Sequence, residues 1–187
     1  LDDPAALSFE GESKKMTVLF SDIRSFTNMS ETLSAGDLKS LLNRYFTPMT
    51  EVIFFFFCTI DKYAGDMIMA FWGAPLDDPQ HERRGVMAAL LMEKKQAELR
   101  EAFREIGLPP IYTGIGVNTG QMNVGDMGST YRRACTVLGD AVNLGSRLES
   151  ITKFYGAEIL VSESTYAAVQ EDFIWREVDY MQVKGKK

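Results

Sequence analysis

Three stretches of this sequence carry side chains suited to metal and phosphate chemistry. In Phe20-Ser21-Asp22-Ile23-Arg24-Ser25-Phe26-Thr27 an apolar run ends on a single carboxylate. The small polar residues after it can turn the chain into a helix with its amides outward, a setting that suits phosphate oxygens. In Ile60-Asp61-Lys62-Tyr63-Ala64-Gly65-Asp66-Met67-Ile68-Met69-Ala70-Phe71, Asp66 sits at the tip of an apolar hairpin. In Thr136-Val137-Leu138-Gly139-Asp140-Ala141-Val142-Asn143-Leu144-Gly145-Ser146-Arg147-Leu148-Glu149, Asn143 and Arg147 stand four apart and share a helical face. An amide and a guanidinium there can hold a ribose and a triphosphate. Each stretch alone has an ordinary explanation: a helix cap, an acidic turn, a solvated helix face. Their combination changes the balance. Two carboxylates, each at the end of a buried strand, are what two-metal phosphoryl transfer needs, with the ions roughly 3.5–4 Å apart. Hard oxygen ligands favour two divalent cations of the Mg²⁺ or Mn²⁺ type.

The elements that must hold these groups can be read from periodicity. Met16 to Phe20 is a compact apolar run, consistent with a buried strand. Leu38, Leu41, Leu42, Tyr45, Phe46, Met49, Val52 and Ile53 recur at helical spacing between Asp37 and Phe57, with Pro48 expected to kink or bound the helix. Thr59 to Tyr63 and Met67 to Trp72 read as strands around the turn Ala64-Gly65-Asp66. Pro79 to Ile106 reads as a second long helix, and His81 as a solvated residue at its start. Ile111 to Thr119 is strand-like, with Met122 to Met127 expected to fold back on it around Gly120. Then follow a short strand at Thr136 to Leu138, a helix from Asp140 to Tyr155, a strand at Ile159 to Val161, and a small helix capped by Ser162. The order predicts an α+β fold with a ferredoxin-like βαββαβ core, a mixed but mainly antiparallel sheet, and appended C-terminal αβ elements.

Composition narrows the function. The 187 residues suit one domain, with 45% hydrophobic residues for a core. A formal net charge of −6 argues against a nucleic-acid partner, which calls for a basic face. Cys58 and Cys135 lie far apart, which excludes a CxxC-type zinc site and favours reduced thiols. A single histidine excludes histidine-based triads and multi-histidine metal sites. No apolar stretch reaches the roughly 18 residues of a membrane span, and Leu1 to Glu10 lacks the basic flank of a signal peptide.

In order and spacing the three motifs resemble the class III adenylyl and guanylyl cyclase catalytic domain. The resemblance runs from about Lys15 to Lys186. It is nearest to bacterial adenylyl cyclases with a Lys–Thr substrate-selecting pair. It implies a catalytic domain over 15–187, truncated in its C-terminal strand, after an extension or linker over 1–14. Asp22 and Asp66 match the family's metal-binding aspartates, and Ile23 the position whose carbonyl helps hold a metal. Phe26 and Thr27 fall in the phosphate-cradling turn. Lys62 matches the residue that reads the adenine ring, and Thr136 its partner. Asn143 and Arg147 match the pair that supports the transition state. Arg132 falls nearest an additional phosphate-binding arginine, and Lys184 or Lys186 resembles a late lysine that meets the terminal phosphates.

The resemblance implies conversion of ATP to 3′,5′-cyclic AMP and pyrophosphate. It also implies a homodimer with two composite sites, because metal-binding and base-reading groups act across a subunit interface in this family. A cytoplasmic catalytic domain is expected, with an upstream regulatory or membrane segment outside this fragment. Base choice has a physical basis. Adenine offers an acceptor at N1 and an amino donor at position 6, which a lysine and a threonine oxygen complement. Guanine reverses that pattern and leaves buried groups unpaired. Guanylyl cyclases of the family usually carry Glu at the Lys62 position, which argues against that alternative. A catalytically silent dimerisation or nucleotide-sensing module is the remaining alternative, against which stands the complete set of metal and transition-state residues. The Gly-Gly-Asp/Glu-Glu-Phe signature of diguanylate cyclases is absent. The sequence departs from the family at Phe54-Phe55-Phe56-Phe57, at Cys58 where Gly is frequent, and at Cys135 where an aromatic is common.

Overall fold

The structure, a computed structural model, describes residues 11–56, 59–129 and 132–179, with the backbone alone over 59–64, 126–129 and 132–134. The elements run β1 (Glu12–Ile23), α1 (Phe26–Thr32), α2 (Ala35–Phe55), β2 (Thr59–Ala64), β3 (Met67–Trp72), α3 (His81–Glu105), β4 (Thr113–Ser129), β5 (Arg132–Leu138), α4 (Asp140–Ile151), β6 (Ile159–Val161) and α5 (Glu163–Val169). The sheet order is β2-β3-β1-β4-β5, all antiparallel, and β6 adds in parallel to β4 through Ile115–Val117. This is the expected α+β fold: βαββαβ first, then αβ additions.

Alternation along β1 divides the core. Leu19 and Ile23 face one side, where Leu41, Tyr45, Met49 and Ile53 of α2 and Val86, Ala89 and Met92 of α3 cover the sheet. Val18 and Phe20 face the other, with Met69, Phe71, Val124 and Val142 of α4. Pro48 does not end α2. Its interior position costs about 3 kcal/mol, but Tyr45, Met49, Val52 and Ile53 are buried on the same helix, and each contributes about 1.5–3 kcal/mol. The phenylalanine run is divided. Phe54 and Phe55 are 58% and 70% exposed, whereas Phe56 is buried and its carbonyl accepts from Trp72 Nε1 at 3.0 Å. Phe57 and Cys58 lie outside the described residues.

Two expectations fail. The chain does not fold back at Gly120, because β4 runs unbroken through it and pairs with β1 from Thr113 to Val124. His81 begins α3 but is buried, not solvated. Its Nδ1 lies 2.7 Å from Thr17 Oγ1, at one end of a buried polar chain that continues to Thr119 at 2.9 Å and Thr165 at 3.0 Å.

Burial lowers the imidazole pKa, against the charges of Glu82 and Asp78 and together with that of Lys15. A base whose folded pKa is depressed binds fewer protons folded than unfolded. Its contribution is therefore full above about pH 6.5 and is lost as pH falls from there towards the folded value. Between pH 8 and pH 5.5 the urea stability of the parent relative to His81→Gln should show this loss, at most about 1.4 kcal/mol per pH unit, a difference from which the other titrating groups drop out. His81→Gln should remove that part of the slope, and NMR titration of the lone imidazole should give a midpoint below 6.5. An unshifted midpoint would contradict the assignment.

Candidate active site

β1 carries its apolar run to Ile23, and Asp22 lies at its penultimate position. Gly65, with φ of 62°, makes the tight turn between β2 and β3 and brings Asp66 to the same end of the sheet. The Ile23 amide donates to Asp66 Oδ2 at 3.0 Å. Asp22 Oδ1 is buried without a hydrogen-bond partner among the described residues. Burial, the hydrogen bond and charge of Asp66, and the charge of Glu149 push the Asp22 carboxyl up to about 7, partly offset by the Ile23 amide. Two acids pressed together with an unsatisfied buried oxygen form a site that gains from positive charge. The residues present therefore fit a divalent cation. Among the described residues no group of three or more His, Cys, Asp or Glu could hold a metal alone.

α4 rests almost backbone to backbone on the sheet. A Cβ at Gly116 would stand 2.4 Å from the Glu149 nitrogen and 2.5 Å from the Gly145 carbonyl, and one at Gly145 would stand 2.8 Å from Val18 Cγ1. Asn118 Nδ2 ties the start of the helix down through the Ala141 carbonyl at 2.7 Å. Val142 and Gly145 thus face the strand, while Asn143 and Arg147 form an exposed stripe.

The chain enters α1 through Ser25 in the left-handed conformation, φ 57°, with Phe26 half-buried and Thr27 exposed. Thr136 is half-buried on β5 opposite Gly125 of β4. Lys62 is on β2 opposite Met69, and Arg132 on β5 opposite Ser129. The side chains of Lys62 and Arg132 lie outside the description, as do Lys184 and Lys186 entirely. β2 and β5, at opposite ends of the strand order, come into contact, so the strands of Lys62 and Thr136 approach each other. The structure therefore joins Asp22, Ile23 and Asp66 directly. It places Asn143 and Arg147 on a separate surface stripe.

Two neighbours of the aspartates were not singled out from the sequence. Glu149 lies two residues beyond Arg147, and burial and the charge of Asp66 raise its pKa, opposed by Lys153 and Arg24. Arg24 donates through Nη2 to the Ala157 carbonyl beyond α4, and its own amide donates to Tyr112 O at 2.7 Å. Both stand inside the quoted motifs, but only strand register shows what they face.

The family model for the adenylate and guanylate cyclase catalytic domain matches residues 10–187. An adenylate cyclase of Anabaena cylindrica is 39% identical over 181 residues, covering 93% of this chain and 35% of that protein. This chain spans only a minor part of the length of such curated relatives. Two solved structures cover 95% of the chain: the adenylyl cyclase CyaB from P. aeruginosa, with 37% identity, TM-score 0.87 and 91% of that chain covered, and the guanylyl cyclase Cya2, with 35% identity, TM-score 0.88 and 89% covered. Among the described residues no helix is long and apolar enough to cross a membrane.

Proposed function

The chain belongs to the adenylate and guanylate cyclase catalytic domain family, and from that premise we propose that it converts ATP to 3′,5′-cyclic AMP and pyrophosphate at sites shared within a homodimer. The observation that carries the reading is the Asp22–Asp66 pair, held by the Ile23 amide with one buried oxygen unsatisfied. Asp22, Asp66 and the Ile23 carbonyl would hold the divalent cations. When bound, these supply charge neutralisation at the triphosphate and acidify the ribose 3′-hydroxyl. Asn143 orients the ribose so that its 3′-oxygen faces the α-phosphorus, and Arg147 stabilises the charge that develops on the α-phosphate oxygens. The α1 turn at Phe26 and Thr27, Arg132, and Lys184 or Lys186 would hold the leaving phosphates. Asn143 and Arg147 are exposed, which agrees with a site completed by a second copy of the chain.

Likeness alone does not choose the base, since this chain is about as similar to a guanylyl as to an adenylyl cyclase structure. Lys62 and Thr136 favour adenine by their donor and acceptor pattern. Pyrophosphate release from ATP and from GTP with Mn²⁺ tests the reading. ATP should be preferred in kcat/KM, and Lys62→Glu should erode the preference by about 1–3 kcal/mol for each mismatched hydrogen bond. Equal use of GTP by the parent would remove the adenine-reading role, and no turnover of either nucleotide would favour a silent module.

A further inference from the structure

We propose that Glu149 is a positioning residue for the metal pair: a third negative charge, fixed by the seating of α4 on β4, that strengthens cation binding at Asp22 and Asp66 without being a ligand. The proposal rests on the functional reading above and deepens it.

Its placement is geometric. Gly114 is the register partner of Asp22 across the β1–β4 ladder. A Cβ on Gly114 would stand 3.1 Å from the Glu149 carbonyl, 3.2 Å from Glu149 Oε2 and 2.2 Å from Thr152 Oγ1. The bare strand surface at Gly114 is thus the floor on which the Glu149 carboxylate lies, one strand from Asp22. The half-buried carboxylate has no ion-pair partner within 4.0 Å among the described residues. Arg24 and Lys153 act on it only at longer range. The Arg24 guanidinium donates through Nη2 to the Ala157 carbonyl, and its buried Nε has no hydrogen-bond partner among the described residues. Glu149 therefore adds to the negative field at the aspartates. A like charge so placed opposes the metal-free fold and favours the cation-loaded one. Groups outside the ligand set commonly change metal affinity by about 10–100-fold.

The test is Mn²⁺ binding to the nucleotide-free chain, read from the free-ion EPR signal, together with the thermal midpoint after chelation, at pH 8. Glu149→Gln should bind Mn²⁺ about tenfold more weakly and melt higher than the parent when metal-free. Glu149→Asp, which keeps the charge and retracts it by one methylene, should fall between parent and Gln in affinity. A purely structural role would instead lower the metal-free midpoint. Unchanged Mn²⁺ affinity in Glu149→Gln, equal weakening by Asp and Gln, or a lowered metal-free midpoint in Glu149→Gln would overturn the proposal. Asp66→Asn separates the two levels of the reading. If the parent binds Mn²⁺ and Asp66→Asn does not, the metal pair stands and Glu149 is judged alone. If the parent binds none, or Asp66→Asn binds as the parent does, the metal pair and this proposal both fall.

Discussion

Asp66→Asn should abolish turnover while leaving the metal-free fold at least as stable as the parent's above pH 7. Loss of an inner carboxylate should cost at least about a hundredfold, since even outer-shell partners of metals are worth about 10–100-fold. The fold should survive because asparagine keeps a carbonyl oxygen that can accept from the Ile23 amide, the contact now made to Asp66 Oδ2. The stability sign follows from Asp22. Its carboxyl is pushed up to about 7 in the folded chain, against about 4 when unfolded. Between those values the folded state holds more protons than the unfolded one, so stability falls as pH rises and levels off above about 7. The Asp66→Asn change removes one like charge from the causes of that fall. Urea unfolding in chelator at pH 5 and pH 8 should therefore show a smaller loss in the variant than in the parent. Pyrophosphate release at saturating Mn²⁺ supplies the other half. More than about a tenth of parental activity would remove Asp66 from the metal site.

Features written in local sequence were legible in advance. The β2–β3 hairpin follows from two apolar runs around Ala64-Gly65-Asp66, and Gly65 does adopt the positive φ that such a turn needs. Ser162 was readable as a cap, and its side chain accepts from the Thr165 amide. Gly120 was misread because glycine serves two purposes. A Cβ there would stand 3.0 Å from Ala141 Cβ, so the small residue makes room for α4 and is not a turn. His81 was misread because its sequence neighbours are polar, whereas its partner Thr17 is 64 residues away in sequence. Glu149 was invisible for a related reason. Along the helix it is one more charged residue, and only the pairing of Gly114 with Asp22 sets its carboxylate beside the aspartates. Seating a helix on bare strand is a tertiary event, and one-dimensional spacing does not record it.

Two dead variants should restore each other when mixed. Asp22→Ala removes a metal ligand but keeps Lys62, Asn143 and Arg147. Arg147→Ala removes transition-state support but keeps both aspartates. Within one chain the structure places Asp22 one strand from Glu149, near the C-terminal end of α4, and exposes Asn143 and Arg147 on that helix's outer stripe. On the proposed reading a second copy completes each site, and a two-fold dimer would contain two such composite sites. In a mixed dimer one site collects both lesions and the other collects neither. Random equal pairing makes about half of the dimers mixed, each with one intact site of two, so activity should return to about a quarter of wild type. The unmixed parents should stay inactive, and wild-type specific activity should fall on dilution as dimers dissociate. Subunit exchange can be verified separately with two fluorescent labels. If both variants are folded and exchange is demonstrated, yet mixtures remain as inactive as the parents, the aspartates and Arg147 do not act across a shared interface.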